Sequence, residues 1–276
     1  MTAASLSDVL DPAAERGYAI AGLVVLGWED ARAYVAAAEE TGIPVILQAG
    51  PGCRRHTPTP ILGKMFRTLA DRSSAIVVCH VDHAATLGEC EEGIESGFTS
   101  VMIDGSKLPL EENIALTSRV VEAARSAGVS VEGEVGVVGY SGGAPSVATS
   151  PEEAGRFERE TGVDALAVSV GNVHLQAEKA ATIDFAAIET IRDATRAPLV
   201  LHGGSGVARG IRRRLASDFR VAKFNIGTEL RMAFGAALRA YLAEHPASFD
   251  RIEVLSATAP ALTAAAKDVM TALWRP

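Results

Sequence analysis

At 276 residues, 48% of them hydrophobic and 22% charged, the chain is long enough to bury one large core. A formal net charge of −8 argues against a surface for nucleic acid or an anionic membrane, and no apolar run approaches the roughly 18 residues that span a bilayer. The expectation is one domain over residues 1–276 with small molecules as partners.

Cys53, Cys79 and Cys90 are odd in number and show neither CxxC nor framework spacing. With no basic-then-apolar leader at the N-terminus, they predict reduced thiols in a soluble, cytoplasmic protein.

Leu6, Val9, Leu10 and Ala13 share one face of a short leading helix. Residues 18–26 read as a buried strand, 28–40 as a helix and 44–48 as a second strand. Gly and Pro punctuate 50–59 as a loop before a helix over 61–71 and a third strand over 75–81. The alternation continues with a helix at 87–96, a strand at 100–103, a helix at 110–127 and a strand at 129–135. Residues 137–150 have the Gly- and Ser-rich composition of a mobile loop. Ser150 and Pro151 then supply an N-cap and a first-turn proline for a helix to about Thr161. Strands at 164–170, 198–201 and 221–226 alternate with helices at 185–194 and 211–217, and helices over 229–244 and 260–273 end the chain, the last expected to pack outside the main fold.

Eight short apolar strands separated by amphipathic helices suit a parallel sheet covered on its outer face, and eight is the number that closes a (β/α)8 TIM barrel. The fold class is therefore α/β, a barrel with an extra helix at each end. A doubly wound open sheet is the alternative, but no GxGxxG follows the first strand.

Reactive groups of such barrels gather at the C-terminal ends of the strands. His83 follows the third strand, His174 the sixth and His202 the seventh, so three imidazoles remote in sequence converge on one rim, a set suited to Zn²⁺ with a position left for substrate. One strand-end histidine alone is more often a structural hydrogen-bonding residue; it is the convergence that gives these weight. Asp82 precedes His83, while Glu132 and Glu134 alternate onto one face of their strand, with Lys223 a candidate partner. Two Gly-containing turns, HGGSG (202–206) and NIGT (225–228), lie where barrels frequently bind phosphate.

Six segments, HVDHA, GFTSVMIDGSKLPLEENI, VSVEGEVG, TGVDALAVSVGNVH, LVLHGGSG and KFNIGTELRMAF, resemble motifs of the class II, zinc-dependent ketose-bisphosphate aldolases, in the family's order. The likeness covers about residues 17–234. It implies a (β/α)8 barrel, usually dimeric or tetrameric, that takes a sugar phosphate. By the same likeness His83, His174 and His202 are the metal ligands, with Glu134 near the metal and Zn²⁺ or another divalent ion as cofactor. Asp82 is then the acid/base residue at the C4 hydroxyl, Asp104 an acidic position near substrate, and Gly203, Ser205, Asn225 and Thr228 the cradle for the phosphate of dihydroxyacetone phosphate.

The implied chemistry is reversible retro-aldol cleavage of a ketose phosphate. A Lewis acid at the carbonyl spreads the C3 carbanion charge into an enediolate, and a carboxylate exchanges the C4 hydroxyl proton. The 137–150 loop is placed to close over such a site. Two alternatives are a Schiff-base aldolase using Lys223 and a non-catalytic sugar-phosphate-binding barrel. Departures from the family pattern bear on substrate. Leu175 stands where the family has glycine, the next lysine is Lys179, an asparagine is replaced within LVVLG, the loop after the fifth strand lacks acidic residues, and SATAPA (256–261) replaces an arginine-bearing segment. These point away from a bisphosphate.

Overall fold

The computed structural model describes residues 2–143 and 145–274. Met1, Ala144, Arg275 and Pro276, which the expected domain and loop include, lie outside the described residues.

A two-residue strand β1 (Ala3–Ala4) precedes the helix α1 (Leu6–Arg16). Eight parallel strands follow: β2 (Ile20–Val24), β3 (Val45–Ala49), β4 (Val77–Ala84), β5 (Ser100–Ile103), β6 (Ser130–Val135), β7 (Ala165–Val168), β8 (Leu199–Leu201) and β9 (Val221–Ile226). Each pairs with the next and β9 returns to β2, closing the barrel that the alternating pattern predicts. β1 lies beside the start of β4, below the level at which β5 begins to pair. The helices are α2 (Trp28–Thr41), α3 (Pro51–His56), α4 (Thr59–Arg72), α5 (Leu87–Glu95), α6 (Leu110–Ala127), α7 (Pro151–Thr161), α8 (Phe185–Ala194), α9 (Arg209–Phe219), α10 (Thr228–Glu244), α11 (Arg251–Ser256) and α12 (Ala259–Leu273).

Strand periodicity separates two apolar regions. Outward residues such as Val77, Cys79 and Val81 of β4 pack beneath the helices. Inward residues at the lower end, Ile20, Ile46, Val78, Met102, Ala167 and Val200, meet Leu6, Val9, Leu10 and Ala13 of α1, which stops the barrel from below. Burying a leucine such as Leu6 or Leu10 contributes on the order of 1.5–3 kcal/mol. α1 is held at that angle by a capping box, in which Ser5 Oγ accepts from Asp8 N–H and the Asp8 carboxylate accepts from Ser5 N–H. Halfway up, the inward positions turn polar, with Gln48, His80, Ser100, Glu132 and Lys223 all buried. The floor is thus a stability layer and the upper half a polar chamber.

Two expectations are corrected. The 50–59 loop contains the helix α3, begun by Pro51 in its first turn and tied to the barrel by Arg54, whose guanidinium donates to the carbonyls of Ala49, Asp82 and His83. The last helix, α12, packs within the outer ring against α2, α9 and β2 rather than outside it, and Trp274 beyond its end lies 4.4 Å from the Tyr18 ring. It is α10 that runs outward, with Met232 and Leu242 exposed and Phe249 following at 96% exposure. No helix among the described residues is long and apolar enough to cross a membrane.

Candidate active site

The site begins where β4 breaks its alternation. Pairing between β4 and β5 shifts register between Val81 and Ala84, and His83 adopts φ 51°, a left-handed conformation uncommon for a residue with a side chain. A regular strand sends successive side chains to opposite faces; the irregularity lets Asp82 and His83 both line the same cleft. Arg54, bonded to the carbonyls of both residues, holds the distortion in place.

His174 and His202 arrive from the ends of β7 and β8. Asn172 ties the two segments together, donating to the carbonyls of Val168 and His202. The rings of His83, His174 and His202 lie 4.6–5.6 Å apart between centroids. Each of the three offers a nitrogen within 4.8 Å of the others, and His83, Asp104 and Glu134 form a second group of the same kind. His83 Nδ1 bonds Asp104 Oδ2 at 2.8 Å, and His202 Nε2 bonds Glu132 Oε1 at 2.9 Å. These bonds leave His83 Nε2 and His202 Nδ1 buried with no partner, and Glu134 Oε2 is likewise unpartnered, 3.5 Å from His202 Nδ1. Buried polar atoms are nearly always paired, so these orphans, on residues of the two donor groups, fit a metal ion; the His83 nitrogen nearer Glu134 Oε2 is Nδ1, at 3.8 Å. Imidazoles whose far nitrogens meet carboxylates are the donor set of a divalent cation.

The electrostatics favour the same reading. Burial lowers His83, but Asp82, the bond to Asp104 and Glu134 outweigh it and raise its pKa to about 9, so the site favours positive charge there. Burial, reinforced by His202 and His83, lowers His174 to about 3 and keeps it a neutral donor. Burial pushes Glu134 up; it pushes Asp82 up as well, but His83, His202 and Lys223 prevail and hold that carboxyl below its usual range.

Below the rim, burial followed by the ammonium of Lys223 lowers His80 to about 3. His80 is therefore neutral when folded yet takes a proton near pH 6.5 when unfolded. Its contribution to stability is fully present above that pH and is lost as pH falls from about 6.5 toward 3. Urea unfolding midpoints should decline over that window, and His80→Gln should flatten the decline; an unchanged slope in the variant would remove His80 from the account.

Beside the imidazoles lies a candidate anion cradle. Gly203 has φ 64°, and a Cβ there would sit 2.1 Å from the Val173 carbonyl, so only glycine lets the chain turn. Ser205 Oγ accepts from the N–H groups of Gly227 and Glu229 at the start of α10, next to Thr228. Asn225 Nδ2 donates to Asp82 Oδ1 at 3.1 Å, joining the cradle to the carboxylate. Lys179, although farther along than the family pattern places its lysine, returns to this corner, donating to the Ser205 carbonyl and to Glu229. Leu175 holds the left-handed conformation at φ 58° and is 53% exposed at the cleft.

The cleft of about 370 Å³ thus gathers Asp82, His83, His174, Gly203, Ser205, Asn225 and Thr228. His202 and Glu134 adjoin it from the buried side, whereas Asp104 stands behind His83 rather than in the cleft wall. Sequence reasoning missed Arg54, for which no local signal exists, and Tyr140. Tyr140 lies in the Gly-rich loop and stacks on His174 with centroids 4.8 Å apart, pinned by His174 N–H to the Gly139 carbonyl and Ser141 N–H to the His174 carbonyl. Lys223 is fully buried and paired with Glu132 at 2.5 Å, away from the cleft wall.

A barrel rim with donors for an ion set against a cradle for an anion defines a metal-dependent barrel enzyme acting on small anionic substrates. The chain belongs to the class-II fructose-bisphosphate aldolase family, whose model matches residues 4–275, and is accordingly an aldolase, a carbon–carbon lyase. A fructose-bisphosphate aldolase of Geobacillus stearothermophilus is 36% identical over 262 residues, covering 92% of this chain and 91% of the relative. Among solved structures, the YdjI aldolase of Escherichia coli K12 superposes with TM-score 0.85 at 30% identity, over 98% of this chain and 97% of that one. A fructose-bisphosphate aldolase of Campylobacter jejuni shares the fold, with TM-score 0.83 at 23% identity over 97% and 93%.

Proposed function

We propose that the protein cleaves a ketose 1-phosphate reversibly to dihydroxyacetone phosphate and an aldehyde, with Zn²⁺ held by His83, His174 and His202 and approached by Glu134. The observation that carries this reading is the gathering of nitrogens of His83, His174 and His202 within 4.8 Å of one another, with His83 Nε2 and His202 Nδ1 unpartnered, beside Asp82 and the cradle. Bound there, a divalent cation supplies Lewis acidity to the oxygen on which charge develops as the carbon–carbon bond breaks. Asp82 takes the C4 hydroxyl proton in cleavage and returns it in condensation, with Asn225 fixing one carboxylate oxygen and leaving the other free. Gly203, Ser205 and Thr228 hold the phosphate at the start of α10, where backbone N–H groups and the helix dipole favour an anion. Asp104 serves by orienting His83. Tyr140 covers His174 and narrows the access of water.

On the aldehyde side the cleft adjoins a cavity of about 830 Å³, sharing Val24, Leu26 and Arg231 with it. This room, lined by Arg32, Arg231 and Arg251 and with SATAPA in place of the family's arginine-bearing segment, supports an aldehyde longer than three carbons. The protein acts in the cytoplasm as a homo-oligomer, its exposed Met232, Leu242 and Phe249 covered by a second copy, and sedimentation velocity checks the assembly.

The test is a screen of ketose mono- and bisphosphates of increasing length, read by release of dihydroxyacetone phosphate and by exchange of its C3 proton with solvent. Release from a monophosphate in preference to a bisphosphate is expected. Binding without release or exchange would instead establish a non-catalytic sugar-phosphate-binding protein.

A further inference from the structure

We propose that Lys223 is a positioning residue for the metal-binding imidazole of His202, acting through Glu132 to decide which ring nitrogen carries the proton. The inference rests on the metal-site reading above and extends it to a residue that reaches neither the ion nor the cleft.

The geometry is a buried chain of three side chains, each 0% exposed. Lys223 Nζ donates to Glu132 Oε2 at 2.5 Å, and Glu132 Oε1 lies 2.9 Å from His202 Nε2. An ammonium has three donors and no acceptor, and an ionised carboxylate has acceptors only. Glu132 between them must therefore accept from both, which places the proton of His202 on Nε2 and leaves the lone pair on Nδ1. That nitrogen is the one without a protein partner.

The second neighbour of Lys223 is consistent with the same direction of donation. His80 Nε2 lies 3.3 Å from Nζ and accepts from it, while His80 Nδ1 donates to Ser100 Oγ at 2.9 Å. The ammonium thus faces Glu132 and His80, while Glu134 lies 3.5 Å from His202 Nδ1 at the far end of the chain and Asp82 stands close enough to feel the charges of Lys223, His80 and His202. Replacing the ammonium by a neutral group removes the donor that holds Glu132 Oε2, so nothing fixes the carboxylate against Nε2. The His202 ring then loses the partner that orients it and that keeps its Nδ1 lone pair available for ligation. Lys223 controls a lone pair two side chains away.

The experiment measures Zn²⁺ affinity of the full chain by competition with a chromophoric chelator, together with the visible absorption of bound Co²⁺. Wild type, Lys223→Met, Glu132→Gln and the double variant are compared. Lys223→Met is expected to weaken Zn²⁺ binding about 10–100-fold, the range for outer partners of a ligating histidine, and to alter the Co²⁺ spectrum. Because Lys223 acts through Glu132, the double variant should lose no more than the weaker-binding single variant. Affinity within about twofold of wild type in Lys223→Met, or losses that multiply in the double variant, would overturn the proposal. Should Lys223→Met fail to fold, Glu132→Gln decides alone, unchanged affinity and spectrum counting against the relay. Failure of the wild type to bind Zn²⁺ or Co²⁺ would overturn the metal-site reading itself, so the two failures are distinguishable.

Discussion

Stripping the protein of divalent metal with a strong chelator should abolish cleavage of a ketose 1-phosphate, and added Zn²⁺ should restore it. The site offers a metal three imidazoles and a carboxylate, and the two cations nearest them are already committed: Arg54 is spent on the carbonyls beneath it, and Lys223 lies below the rim paired with Glu132. Lewis-acid stabilisation is worth several kcal/mol, and each 1.36 kcal/mol is tenfold, so the loss should exceed about 10³-fold. Borohydride in the presence of substrate should leave Lys223 unmodified, since its amine is fully buried and ion-paired. Activity that survives thorough metal removal, or a reduced adduct at Lys223, would overturn the mechanism in favour of Schiff-base chemistry.

The second large effect is expected at Asp82. Asp82→Ala should lower turnover by about 10²–10⁴, the usual worth of a placed acid/base group, while bound metal stays close to the wild-type content. The separation follows from geometry. Asp82 Oδ1 accepts from Asn225 Nδ2, and the carboxylate faces the cleft, whereas the unpartnered atoms that suit a metal belong to His83, His202 and Glu134. Asp82→Asn is the finer probe, because it keeps the size and a hydrogen bond to Asn225 but cannot take a proton. Metal analysis accompanies the kinetics: an Asp82→Ala variant that loses its metal would move Asp82 from proton transfer to the metal shell.

Much of this architecture is legible along the chain. The β4 run from Val77 to Val81 is apolar on both faces at its start and turns polar on one face at His80 and Asp82, which marks both a barrel strand and its reactive end. Glu132 and Glu134 are two apart in a strand and point the same way, so their shared inward face follows from the pleat. By contrast, the paired use of Asp82 and His83 contradicts that pleat. It depends on a bulge and a left-handed residue fixed by Arg54, which comes from a helix that Gly and Pro composition disguises as loop. Asp104 shows the same limit: its motif associates it with substrate, and only the fold sets it against His83 Nδ1.

By itself the sequence determined the alternation of eight strands with helices, the apolar face of the leading helix, and which strand ends carry imidazoles and glycines. These are consequences of local periodicity, because burial of one face leaves its mark every two or 3.6 residues. Tertiary structure alone decided that α12 enters the outer ring, that Tyr140 stacks on His174, and that Lys223, Glu132 and His202 form one chain of hydrogen bonds. Glu132 and its two partners lie 70 and 91 residues apart. Barrel closure brings such residues together, and their donor and acceptor roles are then fixed by what each can give to or accept from its neighbours in a fully buried site, a constraint that leaves no periodic trace in the chain.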